Sequence, residues 1–344
     1  MRMKPLVSIT AAFAMLLACS SFDAANTAPT DDAAAAPDTG APADGGNDTG
    51  ALPAPVITVS FQRSPTRIAL DTDAVYWRNA GEPTDAGGPL SEIFKLARSK
   101  DAAPVQLVRD IQGGDGLTID RDYVYWGTDE PCGAPNPIKR IKKNGGTPQP
   151  VLAGCAPPNV SELVVDGADV FFASRYGGGE VARAREGVST TMAKGASRGL
   201  ASDTLSIYFG QPSTATLVRI DKGDVNNSVQ VFAPAQGVVA VVADETAVYW
   251  ITEHNTVARL DRDKPVGIPT ILATDQPSPT AIALTATHVL WTNAGDGTVR
   301  RVAKTGGTPE TIASQQDDPV AIAADEAGIY WLNGRPGTVT RIGW

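Results

Sequence analysis

An all-β fold, a seven-bladed β-propeller of four-stranded antiparallel blades, is predicted for residues 55–344. Three observations predict it: an aromatic recurring about every 40 residues, a constant pattern of short strands around each copy, and no sustained helical period. The aromatic is Trp77, Trp126, Phe172, Phe209, Trp250, Trp291 and Trp331, at spacings of 49, 46, 37, 41, 41 and 40 residues. Repeats of this length made of several short strands stack radially as blades.

The first strand of each unit is a short apolar run that in six of the seven ends in Asp, as in IALD (Ile68 to Asp71), LTID, LVVD and IAAD. The second follows within two or three residues as VYW, VFF, IYF, VLW or IYW. The third is IFKLAR, IKRIKK, VARARE, LVRIDK, VARLDR, VRRVAK and VTRIGW, and the fourth PVQLV, PQPVLA, TTMAKG, VQVFA, PTILA and PETIA, usually after a Gly-Gly or Asp/Lys turn. Strand residues are apolar on both faces because each blade packs against two neighbours, so Tyr76, Trp77 and their equivalents are expected in the core.

Only six fourth strands follow this order, because the sequence stops at Trp344 after the third strand of unit seven. Residues Val56 to Leu70 align without gaps on Thr270 to Leu284. Ile57 to Ser60 are therefore expected to supply the outermost strand of the last blade and close the ring, which removes the sheet edges of an open array.

Residues 1–54 read as a different kind of chain. Arg2 and Lys4 precede an apolar run, Leu6 to Ala18, too short to span a bilayer comfortably and typical of a secretory signal. Its Leu-Leu-Ala-Cys ending, Leu16 to Cys19, resembles the bacterial lipobox, which implies cleavage after residue 18 and lipidation of Cys19. Ser20 follows the cysteine where an inner-membrane retention signal would place Asp, so the expected address is the outer membrane of a bacterial envelope. Residues 20–54 are Ala, Pro, Asp, Thr and Gly with almost no large apolar side chain, and read as a flexible tether of about 30–35 Å root-mean-square reach.

The tether also carries much of the acidity. The whole chain has a formal charge of −9; with the six Asp of the tether and the two bases of the leader set aside, 27 Lys plus Arg face 32 Asp plus Glu. A near-balanced domain has no nucleic-acid footprint. Cys132 and Cys155 lie in connections that an up-and-down blade places on one face, so a disulfide between them is expected in an exported protein. Two Cys without nearby His make a poor metal set.

Charge also repeats. Lys95, Arg140, Arg183, Arg219, Arg259, Arg301 and Arg341 share one third-strand position, and Asp71, Asp120, Asp166, Asp203, Asp244 and Asp325 end the first strands, with Thr285 in unit six. Matched in this way they read as a repeated structural pair or turn anchor. Function is expected where the copies disagree, in the loops between second and third strands. Candidate ligand-binding residues there are Arg78, Tyr176, Glu253, His254, Asn293, Asn333 and Arg335, each also explicable as ordinary loop chemistry.

The segments VYWGTDE, VLWTNAGDGTVRRVAKTGG and IYWLNGRPGTVTRI resemble the YWTD-type repeats of lipoprotein-receptor ectodomains and of related bacterial lipoprotein propellers. The receptor type has six blades and seven are counted here, and the terminal Asp of the motif is often Asn or absent. The resemblance spans residues 55–344 and implies a rigid platform for protein or glycan recognition. No His-Glu-x-x-His, Gly-x-Ser-x-Gly, phosphate-loop or dinucleotide fingerprint is present, and no cofactor or catalytic residue is assigned. The expected function is a monomeric, membrane-anchored binding or scaffold module whose partner is an envelope protein or polysaccharide. The alternative is a carbohydrate- or lactone-active lyase or hydrolase with a metal in the channel.

Overall fold

The computed structural model describes residues 53–80, 90–99, 101–129, 137–154, 156–195, 198–224, 226–264 and 267–343. All lie within one compact unit, Gly50–Trp344. The leader, Cys19, most of the tether, Cys132 and Cys155 fall outside the described residues.

Seven four-stranded antiparallel sheets make seven blades. Blade one runs outward through Pro65–Leu70, Ala74–Asn79, Leu90–Ala97 and Val105–Gln112, and blade two through Leu117–Ile119, Tyr123–Gly127, Ile138–Lys142 and Gln149–Pro150. Blades three to six cover 160–194, 198–234, 238–273 and 279–313 in the same order. Among the described residues the only helical turns are two short 3₁₀ segments, Tyr176–Gly178 and Pro212–Thr214.

Blade seven is a composite. Its inner strands are Pro319–Asp325, Gly328–Asn333 and Thr338–Gly343, and its outermost strand is Val56–Val59, paired antiparallel through Val56 with Arg341, Ile57 with Thr340 and Val59 with Val339. The closing strand thus begins one residue earlier than expected. The Gln62 amide, donating to the Gly337 carbonyl at 2.8 Å, extends the closure into the next connection.

The aromatic pair at the centre of each repeat explains why the repeat exists. Consecutive residues of a strand face opposite sides of the sheet. Tyr76 therefore packs toward blade two, in one cluster with Trp126, while Trp77 packs back toward blade seven, in one cluster with Tyr330. The same stitch joins Tyr125 to Phe172, Phe171 to Phe209, Tyr208 to Trp250, Tyr249 to Trp291 and Leu290 to Trp331. Five of these Trp side chains are fully buried, Trp77, Trp126, Trp250, Trp291 and Trp331. At about 25 cal/mol per Å² of apolar surface removed from water, such large rings dominate the cohesion between blades.

In a four-stranded meander the turns after the first and third strands emerge on one face, and the remaining connections on the other. On the first face the repeated Asp anchors its own turn. Asp71 Oδ1 accepts the amides of Asp73 and Ala74, and Asp120, Asp203 and Asp244 do the same for their turns. Its cationic partner is not the third-strand Arg of its own unit. It is the residue three positions later, contributed by the following blade: Lys143 to Asp71 at 2.5 Å, Lys222 to Asp166 at 2.5 Å, Arg262 to Asp203 at 3.4 Å, Lys304 to Asp244 at 2.8 Å and Arg98 to Asp325 at 2.6 Å. The repeated ion pair is therefore a latch between blades.

Burial alone would raise the pKa of Asp244, but the hydrogen bonds from Lys304, from Thr246 and from two backbone amides outweigh it and hold the value down at about 2. A carboxylate whose folded pKa lies below its unfolded one stabilises the fold above the unfolded value and loses that contribution as pH falls through the folded one. The chain is expected to lose stability between about pH 4 and pH 2. Urea unfolding at the two ends of this range should show a smaller loss for Asp244→Asn than for the parent, and equal losses would contradict the latch.

Candidate functional site

The first strands of adjacent blades pack against one another around the whole ring, the seventh against the first, and they line the central channel. In six blades the pairing of first and second strands shifts register just after the first strand begins, at Pro65/Arg67, Val160/Glu162, Arg198/Leu200, Val238/Ala240, Pro279/Ala281 and Pro319/Ala321. Such bulges re-aim side chains at the rim of a sheet. The equivalent residues in this layer, each four before the turn-anchoring Asp or Thr, are Arg67, Gly116, Glu162, Gly199, Ala240, Ala281 and Ala321. Five are Gly or Ala, and two carry opposite charges.

A cavity of about 150 Å³ opens here, lined on one side by Arg67 and Glu162 and on the other by Val239, Ala240, Ala281, Val320 and Ala321. Arg67 pairs with Asp115 at 2.6 Å, both side chains about 30% exposed (31% and 29%). Glu162 accepts the amides of Gly199 at 3.3 Å and Leu200 at 3.2 Å, which pins blade four to blade three. The mouth of the channel thus carries its charged side chains on blades one and three and mostly apolar ones over blades five to seven.

Arg78 lies behind this mouth. It is 1% exposed and donates to the carbonyls of Gly113, Gly116 and Gly127 of the neighbouring blade, the last at 2.9 Å. Burial pushes its pKa down to about 10, with the charges of Asp115 and Asp129 opposing the fall and Arg67 adding to it. The guanidinium stays charged at neutral pH, and Asp115 stands between two arginines. Gly114 sits against the Gly127 and Thr128 backbone at positive φ (+63°), where a β-carbon would come within 2.6–2.7 Å of their atoms; the loop needs glycine there to close over Arg78.

The other candidates occupy separate assemblies. Asn293 and Asn333 are buried. Each donates to a glutamine, Asn293 to Gln276 at 3.3 Å and Asn333 to Gln316 at 3.1 Å, and the same glutamine oxygens accept the indole N–H of Trp291 at 2.9 Å and Trp331 at 2.8 Å. Gln62 holds Trp77 and Asn79 in the same way. Three adjoining blades therefore share a Gln-Trp-Asn lock on the loop face. Its sequence signal is a Gln 15 residues before the Trp and 17 before the Asn.

Glu253 pairs with Arg198 at 2.9 Å, both about half exposed, and His254 is exposed beside it. Tyr176 is 65% exposed on its 3₁₀ turn, and Arg335 is exposed before the cis Pro336. Among the described residues no three His, Cys, Asp or Glu side chains are grouped to hold a metal ion. The channel mouth presents an arginine with a partly open face, a carboxylate tied to backbone amides, and an apolar wall.

Neither Arg67 nor Glu162 stands out in the loops, where the copies differ most. The signal for both is the aligned ring position, at which every other blade places Gly or Ala.

No protein-family model matches the chain, and no curated protein matches its sequence. Solved structures do resemble it. Virginiamycin B lyase from Staphylococcus aureus is 16% identical with a TM-score of 0.65, over 85% of this chain and 98% of that one. A streptogramin B lyase is 13% identical with a TM-score of 0.62, over 84% of this chain and 96% of that one. The WD40 β-propeller domain of Doa1 is 13% identical with a TM-score of 0.57, over 85% and 95%. At these identities the likeness is one of fold, and it spans enzymes and a WD40 domain alike.

Replacing Arg78 by Met should leave buried carbonyls unpaired and cost about 3 kcal/mol. For a domain of this size that is a fall in Tm of about 6–12 °C. Thermal unfolding checks it, and a variant that melts with the parent would show that the buried guanidinium does not hold the two blades together.

Proposed function

We propose that the chain is a binding propeller, carried outside the cytoplasm on a lipid-anchored tether, whose loop face recognises a protein or glycan of the cell envelope. The observation that supports this reading most is the broken ring at the channel mouth. Seven equivalent positions hold Gly or Ala except Arg67 and Glu162, and they open on the face that carries the variable loops. A carboxylate, sulfate or amide oxygen of a partner suits Arg67, and an apolar group suits the wall of Val239, Ala281 and Val320. The Ala- and Pro-rich tether supports the anchored address, and the YWTD-like segments support recognition as the role.

A second reading is a lyase or hydrolase acting on a lactone or a carbohydrate. It is favoured by one observation, the likeness in fold to virginiamycin B lyase over 98% of that protein. The grouping of residues at the mouth favours binding over turnover, since Arg67 and Glu162 are engaged by Asp115 and by two backbone amides.

The two readings separate in one experiment. The chain, its Arg67→Ala variant and a control on the opposite face, Lys264→Ala, are applied to a glycan array and a peptide library, and each is incubated with lactone and polysaccharide substrates with and without magnesium or calcium. Binding is expected for the chain and for Lys264→Ala, about tenfold weaker for Arg67→Ala, the scale of one charge-assisted contact. Metal-dependent turnover would overturn the binding reading.

A further inference from the structure

The inter-blade latch is altered at two seams, and the two alterations differ in kind. Between blades six and seven several parts change together: Thr285 stands for the Asp and Leu290 for the aromatic, and the aligned cation position falls on Trp344, outside the described residues. Between blades two and three only one part changes. Asp120 keeps its place, accepting the amides of Asp122 at 2.7 Å and Tyr123 at 2.6 Å and the Tyr125 hydroxyl at 2.6 Å. The residue at the position of the latch cation is Glu186.

The intact seams show what this frame accepts. The tyrosine of blade one has two cations around its ring, Lys95 at 5.9 Å and Lys143 at 5.5 Å. That of blade five likewise has Arg259 at 6.0 Å and Lys304 at 5.9 Å. One cation comes from the third strand of the same blade and the other from the next blade. In the seam after blade two Arg140 holds the first position in the sequence, but its guanidinium lies over a different ring, 4.4 Å from the centre of Tyr123 rather than of the repeat tyrosine Tyr125. The second is replaced by a carboxylate, which reverses the charge at that position. Arg185, the chain neighbour of Glu186, is committed to Asp169 through Nε at 2.6 Å and Nη2 at 2.7 Å. A cavity of about 190 Å³ lies at this seam, lined by Tyr125, Arg140, Val170, Ala184 and Glu186.

We propose that this cavity binds an external primary ammonium group on an alkyl stem, its nitrogen taking the place that Lys143, Lys222 and Lys304 fill in their own seams. Glu186 supplies the carboxylate, the Tyr125 ring the cation-binding face, and Val170 and Ala184 the apolar contacts for the stem. Asp120, bound to the Tyr125 hydroxyl, adds negative potential behind the ring. An ammonium is favoured over a guanidinium because three of the five latch cations are lysines. It is favoured over a metal ion because no third carboxylate, His or Cys joins the two acids among the described residues. The site lies on the face opposite the channel mouth and does not depend on the binding reading above.

Calorimetric titration of the chain with Nα-acetyl-lysine amide, with 1,5-diaminopentane and with Nα-acetyl-norleucine amide tests this. One or both ammonium compounds should bind and the norleucine compound should not. Binding of the blocked lysine alone points to a protein lysine as the natural occupant, and binding of the diamine alone to a free amine; either supports the site. Glu186→Gln should weaken binding about tenfold, as expected for one charge-assisted hydrogen bond. Glu186→Lys should abolish it and raise Tm, because the new side chain restores the latch. No binding of either ammonium compound, or binding that survives Glu186→Lys, would overturn the proposal.

Discussion

Everything in this molecule depends on the alternation of side chains along a strand. Because neighbours in sequence face opposite sides, the large apolar pair of each repeat, Tyr-Trp in four of the seven, commits its blade to two partners at once, the first residue to the blade after and the second to the blade before. No blade can bury both rings alone, and an open row would leave Tyr330 and Trp77 uncovered at its two ends. The ring resolves this by setting the two against each other, with the N-terminal strand Val56–Val59 supplying the missing edge. Closure is thus a requirement of the repeat rather than an ornament of it.

The two faces of the ring then follow different rules. On the face of the first-strand turns, five blades receive at the Asp that ends their first strand a cation from the next blade, so the electrostatics echo the hydrophobic stitch: both link neighbours in one direction around the ring. On the loop face, blades six, seven and one share the Gln-Trp-Asn lock, in which one glutamine oxygen accepts from both the indole and the Asn amide. Positions outside the stitch, the latch and the lock are free to vary. Arg67 and Glu162 at the channel mouth are where this freedom has been used, and Glu186 departs from the latch itself; each carries a charge where its equivalents do not carry the same one.

Much of this was legible in the sequence. The period located the blades, the Val56–Leu70 alignment located the closing strand to within one residue, and the repeated Asp read correctly as a turn anchor. Its cationic partner was not legible, because the partner belongs to the next blade and a repeat inspected alone suggests pairing within itself. Asn293 and Asn333 look like loop residues because Asn follows the strand as a turn former would; what buries them is a glutamine 17 residues earlier, a contact without local pattern. Arg67 and Glu162 were hidden by their setting, single charges at the start of runs whose apolar residues define the strand. They emerge only when the seven first strands are stacked as the ring stacks them.

The rest of the ring depends on the N-terminal strand completing the seventh blade. Amide hydrogen exchange over residues 55–62 measures it directly, since the Gln62 amide and the strand before it donate only if the closure forms. Protection there is expected to be comparable with that of the outermost strands of blades five and six, Thr270–Ala273 and Glu310–Ala313. Exchange at the rate of an open chain in that segment, with the other outer strands protected, would contradict it.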